Sequence, residues 1–261
     1  MLKNKGELKG LFKLITDLIF VPKCAGCGVR MLPSEKGCLC ELCSVVYESE
    51  RNKECAKCGK LLPHCSCSTD NLQKAKIDVL SKLTVYRPHS NDFVINKMIF
   101  KLKKTSEYNL VEFLSCEMAS SIKEVINPTD DFIVTYAPRS NKAMQKYGYD
   151  HMEILSKRTA QILGLSWAKL LKRHSNVEQK TLSYTERMKN IAISFDNPKK
   201  LEIKGKTLIL MDDVVTSGAT LSASARKLRK NGAKNVVCAV IAISRSTYIK
   251  FRMRKKHYSK Y

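Results

Sequence analysis

No apolar run in this 261-residue chain approaches the roughly 20 residues needed to span a bilayer, so no membrane-spanning helix is expected. The apolar stretch Leu8 to Val21 is interrupted by Lys13 and Asp17, and no small-residue cleavage site follows it. That argues against a signal peptide and for a cytoplasmic protein. Leu8, Leu11, Phe12, Ile15, Leu18 and Ile19 recur at intervals of three and four, the spacing of an amphipathic helix that packs on a main domain. No Walker-type, helicase or nuclease motif is present, so the chain is not expected to move a polymer by hydrolysing ATP. Histidine is scarce, at five residues, and none falls in a recognisable motif, which leaves no obvious general base. His151 and His174 are the nearest candidates for that role, and each is expected to be an ordinary surface residue rather than a catalyst. Acidic side chains are also few, 24 against 47 lysines and arginines.

What the chain has instead is cysteine, concentrated in one region. Nine of its eleven cysteines lie between Cys24 and Cys67, while Cys116 and Cys238 stand alone in apolar surroundings. The cluster reads Cys24-x-x-Cys27, Cys40-x-x-Cys43, Cys55-x-x-Cys58 and Cys65-x-Cys67. A CxxC turn puts two sulfurs on one side of a small knuckle, and two such turns complete a tetrahedral zinc site. The simplest assignment gives Cys24, Cys27, Cys40 and Cys43 to one Zn2+ and Cys55, Cys58, Cys65 and Cys67 to a second. Interleaved pairing is also compatible with the spacing. Cys38 is left over, and His64 is an alternative ligand in the second site. A closed all-cysteine site has no open position for substrate, so its role would be structural, ordering a segment too small to build a core. A disulfide framework would need an oxidising compartment, for which the chain has no export signal.

The second distinctive stretch is Leu208 to Thr220, LILMDDVVTSGAT. A short apolar run bounded by polar residues predicts a strand covered on both faces in a parallel sheet. Asp212 and Asp213 then fall at its carboxyl end, where ligands bind in open α/β sheets. Neighbouring carboxylates can accept hydrogen bonds from a vicinal diol or interact with a substrate-borne Mg2+. Thr216, Ser217, Gly218, Ala219 and Thr220 form a small-residue loop opening a helix over about 221 to 231, suited to a phosphate. The residues resemble the phosphoribosyl pyrophosphate motif of type I phosphoribosyltransferases. That resemblance implies that Asp212 and Asp213 hold the ribose hydroxyls while Thr216 to Thr220 wrap the 5′-phosphate.

Between these stretches, 66 to 78 is polar and reads as a connection. Lys82 to Arg87 alternates like an edge strand, and 93–104 and 108–126 carry helical spacing. Phe132 to Ala137 reads as a buried strand ending at Pro138 and Arg139, 142–163 as helical, and Val236 to Ile243 as a final buried strand. The alternation predicts a parallel, doubly wound α/β sheet. The polar stretch Arg173 to Asn190 is a candidate lid. Cysteine knuckles ahead of such a domain, with Arg173, Gln179, Leu182, Arg187 and Asn190 in this order before the acid pair, resemble the ComF competence family from about Phe20 to Ser244. The expected organisation is a helix and double zinc ribbon over 1–70, a phosphoribosyltransferase-like domain over 71–244 and a basic aromatic tail over 245–261. The resemblance also assigns Ala137, Pro138 and Arg139 to pyrophosphate contact. Where the family carries Arg-Gly-Phe-Asn-Gln, this chain has Lys146, Tyr147, Gly148, Tyr149, Asp150 and His151, and Lys146 is left to supply the charge without an arginine's planar fork.

Charge divides unevenly. Residues 1–70 hold 11 basic against 8 acidic side chains, the remainder 36 against 16. The last 17 residues hold seven basic and no acidic side chains, interleaved with Tyr248, Phe251, Tyr258 and Tyr261. Basic side chains track a phosphate backbone and aromatic faces stack bases, a combination suited to single-stranded DNA. Two functions are therefore expected. The resemblance implies a competence protein that binds phosphoribosyl pyrophosphate or a similar ligand, handles single-stranded DNA and meets other DNA-uptake proteins. The alternative is transfer of phosphoribose to a non-purine base or amine, since the loop carries Thr216 where purine transferases commonly use a carboxylate.

Overall fold

The computed structural model describes residues 22–32, 35, 37–88, 90, 92–127, 130–174, 193–197 and 201–249. The amphipathic stretch 8–21, the lid candidates Gln179 and Arg187 and the tail beyond 249 lie outside them.

The described chain opens with α1 (Glu41–Arg51), a 3-10 turn (Leu62–His64) and the short α2 (Asp70–Lys74). The parallel sheet follows: β1 (Leu80–Tyr86), helices α3 (Val94–Lys104) and α4 (Tyr108–Lys123), then β2 (Phe132–Tyr136). Helices α5 (Asn141–Tyr147) and α6 (His151–Leu163) lead to β3 (Ser166–Trp167). β4 (Leu171–Arg173) and β5 (Ile193–Phe195) form a small antiparallel pair. β6 (Thr207–Val215), α7 (Ala219–Lys230) and β7 (Asn235–Ser244) complete the fold.

The five parallel strands run in the order β1-β7-β6-β2-β3. After β2 the chain moves outward to β3, then returns to lay β6 on the opposite side of β2. The sheet therefore has its switch point between β2 and β6, the crevice where doubly wound sheets take ligands. Register sets that crevice: Tyr136 lies opposite Met211, so β2 ends one residue before the level of Asp212.

Alternation along the strands divides the core in two. Ile209 and Met211 pack with α3, α4 and α6 on one face, while Leu208 and Leu210 pack with α7 on the other. Because both faces are covered, the strands read as continuous apolar runs. β1 is an edge strand as expected, but its side chains are buried on both faces, Lys82 completely. The cysteine region covers this edge: Cys24, Cys38, Cys40 and Cys43 join the first core, Cys55 and Cys65 the second.

Three expectations are corrected. The helical stretch 142–163 is two helices, broken where Gly148 ends α5 with φ +76°. The connection 66–78 contains α2, whose Thr69 hydroxyl caps the Leu72 N–H. Cys116 is exposed rather than apolar-packed, whereas Cys238 is buried.

Candidate functional site

β6 continues through the acid pair to Val215, so Asp212 and Asp213 occupy the strand's final turn of pleat rather than a loop after it. Asp212 Oδ1 accepts the Asp213 main-chain N–H at 2.8 Å, and Asp213 Oδ1 accepts the Val214 N–H at 2.5 Å. The second oxygen of Asp213 is held by an ammonium and an imidazole nitrogen. Lys103 Nζ, from the last turn of α3, lies 2.7 Å from Oδ2, and His151 Nε2, from the first turn of α6, lies 2.9 Å from the same atom.

These partners split the behaviour of the pair. Burial and the neighbouring Asp213 charge push the Asp212 carboxyl up to about 8. Burial acts on Asp213 in the same sense, but the His151 hydrogen bond and the Lys103 charge outweigh it and hold this carboxyl below the usual range. His151 is 4% exposed, which corrects the expectation of a surface histidine. His174 is exposed and pairs with the Ser194 hydroxyl at 2.6 Å.

The small-residue loop is propped from outside the motif. Thr247 Oγ1 donates to the Thr216 carbonyl at 2.6 Å, and Asn71 Nδ2 donates to the Ser217 carbonyl at 3.1 Å. In a trans peptide the N–H points opposite to the carbonyl, so these contacts turn the Ser217 and Gly218 N–H groups away from Thr247 and Asn71. Gly218 has φ +78°, and a Cβ there would sit 2.9 Å from Leu72 Cδ2. Only glycine satisfies both the left-handed backbone and the close approach of α2. Ala219 and Thr220 open α7, whose amino end adds its dipole to the loop.

Ala137, Pro138 and Arg139 form the turn that follows β2 across the switch point. Their donors are already engaged: Ala137 N donates to the Met211 carbonyl at 2.9 Å, and Arg139 N to Asp150 Oδ2 at 2.8 Å. The Arg139 guanidinium donates to the carbonyls of Tyr149 and Lys103 at 3.1 and 3.0 Å and lies 4.3 Å from the Tyr147 ring centre. Lys146 is exposed, 5.2 Å from the same ring. Arg173 closes β4, half-buried.

The cysteines assemble into two groups of four, Cys24, Cys27, Cys40, Cys43 and Cys55, Cys58, Cys65, Cys67, with the ligand atoms of each within 4.8 Å of one another. This is the sequential pairing, not the interleaved one. Cys38 stays outside both, its thiol pushed up to about 12 by burial. His64 is turned to Glu124 at 3.6 Å. The surroundings suit thiolates. Cys24 Sγ accepts the N–H groups of Gly26 and Cys40 at 3.3 Å each. Cys65 Sγ accepts the Cys67 N–H at 3.3 Å and faces the buried Lys82 ammonium at 3.2 Å. Lys82 Nζ also donates to the carbonyls of Cys65, Cys67 and Leu80. Such groups could bind zinc, since N–H and ammonium donors stabilise metal-bound sulfur charge.

The parallel sheet, its switch-point acids and the glycine loop define a protein of the type I phosphoribosyltransferase fold, and residues 154–260 match the phosphoribosyl transferase domain family. With the cysteine groups ahead of that domain, the chain is homologous to the ComF-type proteins. It is 24% identical over 202 residues to competence protein ComFC of Bacillus subtilis (strain 168), covering 77% of this chain and 80% of the relative. It is 24% identical over 201 residues to DNA utilization protein YhgH of Salmonella typhi, covering 75% and 87%. Among solved structures, the purine phosphoribosyltransferase from Pyrococcus horikoshii Ot3 aligns with 52% of this chain and 74% of that one, at 20% identity and a TM-score of 0.34.

Lys103 is a site residue that the sequence did not reveal, and His151 one that it offered only as a base candidate expected at the surface. Lys103 sits in a charged run that reads as a solvated face, and His151 in a segment that departs from the family pattern. Only the packing of α3 and α6 brings them to Asp213.

Proposed function

We propose that this protein is a ComF-type competence protein of the cytoplasm that binds phosphoribosyl pyrophosphate, or a ribose phosphate like it, at the β2–β6 crevice. The observation that carries the reading is the placement of Asp212 and Asp213 beside the Gly218 loop at one sheet rim. In this reading the acid pair takes the ribose hydroxyls, and Thr216 to Thr220 take the 5′-phosphate on main-chain N–H groups and a helix dipole. Ala137, Pro138 and Arg139 form the opposite wall, where the pyrophosphate arrives with its Mg2+. Arg173, Gln179 and Arg187 are proposed to close over it. The two cysteine groups hold structural Zn2+.

The excess of basic charge outside the ribbon supports a role in handling single-stranded DNA, in company with other DNA-uptake proteins. Among the described residues no helix is long and apolar enough to cross a membrane.

Calorimetric titration tests the ligand. Phosphoribosyl pyrophosphate with Mg2+ should bind the wild type and fail to bind the Asp212→Asn, Asp213→Asn double variant, and binding retained by a folded double variant would refute the ribose role. Pyrophosphate release with pyrimidine or amine acceptors would establish transfer; tight binding without release supports the competence role.

A further inference from the structure

We infer that Lys103, whose ammonium lies on Asp213, is the cation that receives the ligand's pyrophosphate. The inference rests on the ribose-phosphate reading of the crevice. It goes beyond that reading by naming a residue outside the acid pair, the phosphate loop and the β2 turn.

A pyrophosphate group needs a mobile positive charge at the rim, and the described cations around the crevice differ in their freedom to supply one. Arg139 is committed. Both terminal nitrogens are held by the carbonyls of Tyr149 and Lys103, and its central carbon lies over the Tyr147 ring at 4.3 Å. Withdrawing it would strip two carbonyls of charged donors. His151 is committed as well, because its ring is buried and 5% exposed in its side chain. Lys103 differs: its side chain is 36% exposed, it leaves the last turn of α3, and among the described residues its ammonium pairs with Asp213 Oδ2.

That oxygen is one a ribose hydroxyl would need. Lys103 Nζ and His151 Nε2 already crowd that one carboxylate oxygen and leave little room for a third donor, so the diol must displace one of them. The flexible ammonium can swing, whereas the enclosed imidazole remains against the carboxylate. Once displaced, Lys103 carries a full charge at the rim beside the β2 turn, where it meets the incoming phosphates. Arg139 contributes by gripping the Lys103 carbonyl at 3.0 Å, which fixes the point from which the lysine pivots.

The two halves of the ligand separate this role from simple charge attraction. Affinities for phosphoribosyl pyrophosphate and for ribose 5-phosphate, each with Mg2+, should be measured on wild type and on Lys103→Met, Lys103→Arg and Lys104→Met. Lys104 provides the control, since its ammonium lies over the Phe100 ring at 4.1 Å. Lys103→Met should bind phosphoribosyl pyrophosphate at least about tenfold more weakly, the value of one charge-assisted hydrogen bond. Its affinity for ribose 5-phosphate should be unchanged or improved, because the Asp213 oxygen is freed. Lys103→Arg should stay within about threefold of wild type on the same scale, and Lys104→Met should match it. Equal loss for both ligands, or no loss, in a Lys103→Met protein that melts like wild type would overturn the assignment while leaving the site intact. A loss of the same size in Lys104→Met would also overturn it, as general electrostatics. A wild type that binds neither ligand would instead overturn the ribose-phosphate reading and this inference with it.

Discussion

Asp212 and Asp213 are adjacent in the chain, yet folding treats them in opposite ways. Asp212 is raised to about 8 by burial and by its neighbour's charge, so between about pH 4 and 8 the folded protein keeps a proton that the unfolded chain has lost. Stability therefore declines as pH rises through that window. Replacing Asp212 by Asn, which still accepts the Asp213 N–H, should raise the melting temperature, with a gain that grows from pH 5 to pH 8. A melting temperature below wild type at pH 8 would contradict this. Asp213 is lowered, because His151 and Lys103 outweigh the effect of burial. Its contribution is present above pH 4 and is lost as pH falls through its depressed value. Asp213→Asn should therefore cost on the order of 2 kcal/mol near pH 7, because the asparagine takes the carboxylate partner from the Lys103 ammonium and leaves the His151 ring nitrogen poorly matched. Thermal melts of both variants across pH read these opposite signs directly.

Elements were legible where their signals are local. The β6 acids and the glycine loop are contiguous in sequence, and the cysteines group in the simpler of the two pairings that their spacing allowed. β1 misled in part, because Lys82 reads as a solvent-facing residue until the second cysteine group covers it and four acceptors surround the ammonium. The Asp213 clamp could not be read at all, since Lys103 and His151 come from helices whose packing is tertiary. The same is true of α2 as a prop for the phosphate loop. Gly218→Ala would force a left-handed residue against Leu72, and such strain costs of order 1–3 kcal/mol. The expected result is a lower melting temperature together with weaker ribose 5-phosphate binding. A less disruptive change, Asn71→Ala, removes one hydrogen bond to the Ser217 carbonyl and should lower that affinity several-fold while moving the melting temperature by less than about 3 °C. Wild-type affinity in Asn71→Ala would show that α2 supports only the fold.

At the scale of the whole molecule, the cysteine region is built into the sheet rather than appended to it. Its first group shares a core with Val134, Ile209 and Ala239, and its second shares the opposite core with Leu208, Leu210 and Val240. Glu50 at the end of α1 accepts the Val94 and Ile95 N–H groups at 2.9 and 3.0 Å, capping α3, the helix that carries Lys103. Tyr248 donates to the Glu54 carbonyl at 2.9 Å and so ties the end of the domain back to the second group. Metal should accordingly be coupled to the stability of the entire chain. Four thiolates around one divalent ion carry a net charge of about −2, which offsets the buried Lys82 ammonium; without the ion that ammonium keeps its three carbonyl acceptors but loses most of the balancing negative charge. Metal analysis should find close to two zinc ions per chain. Stripping them with a strong chelator should lower the melting temperature of the single transition by more than about 5 °C, the shift that ~2 kcal/mol produces in a chain of this size. Should the chelated protein instead melt in two steps, with the upper one at the original temperature and still sensitive to ribose phosphate, the ribbon would be an independent module and its coupling to the crevice would be disproved.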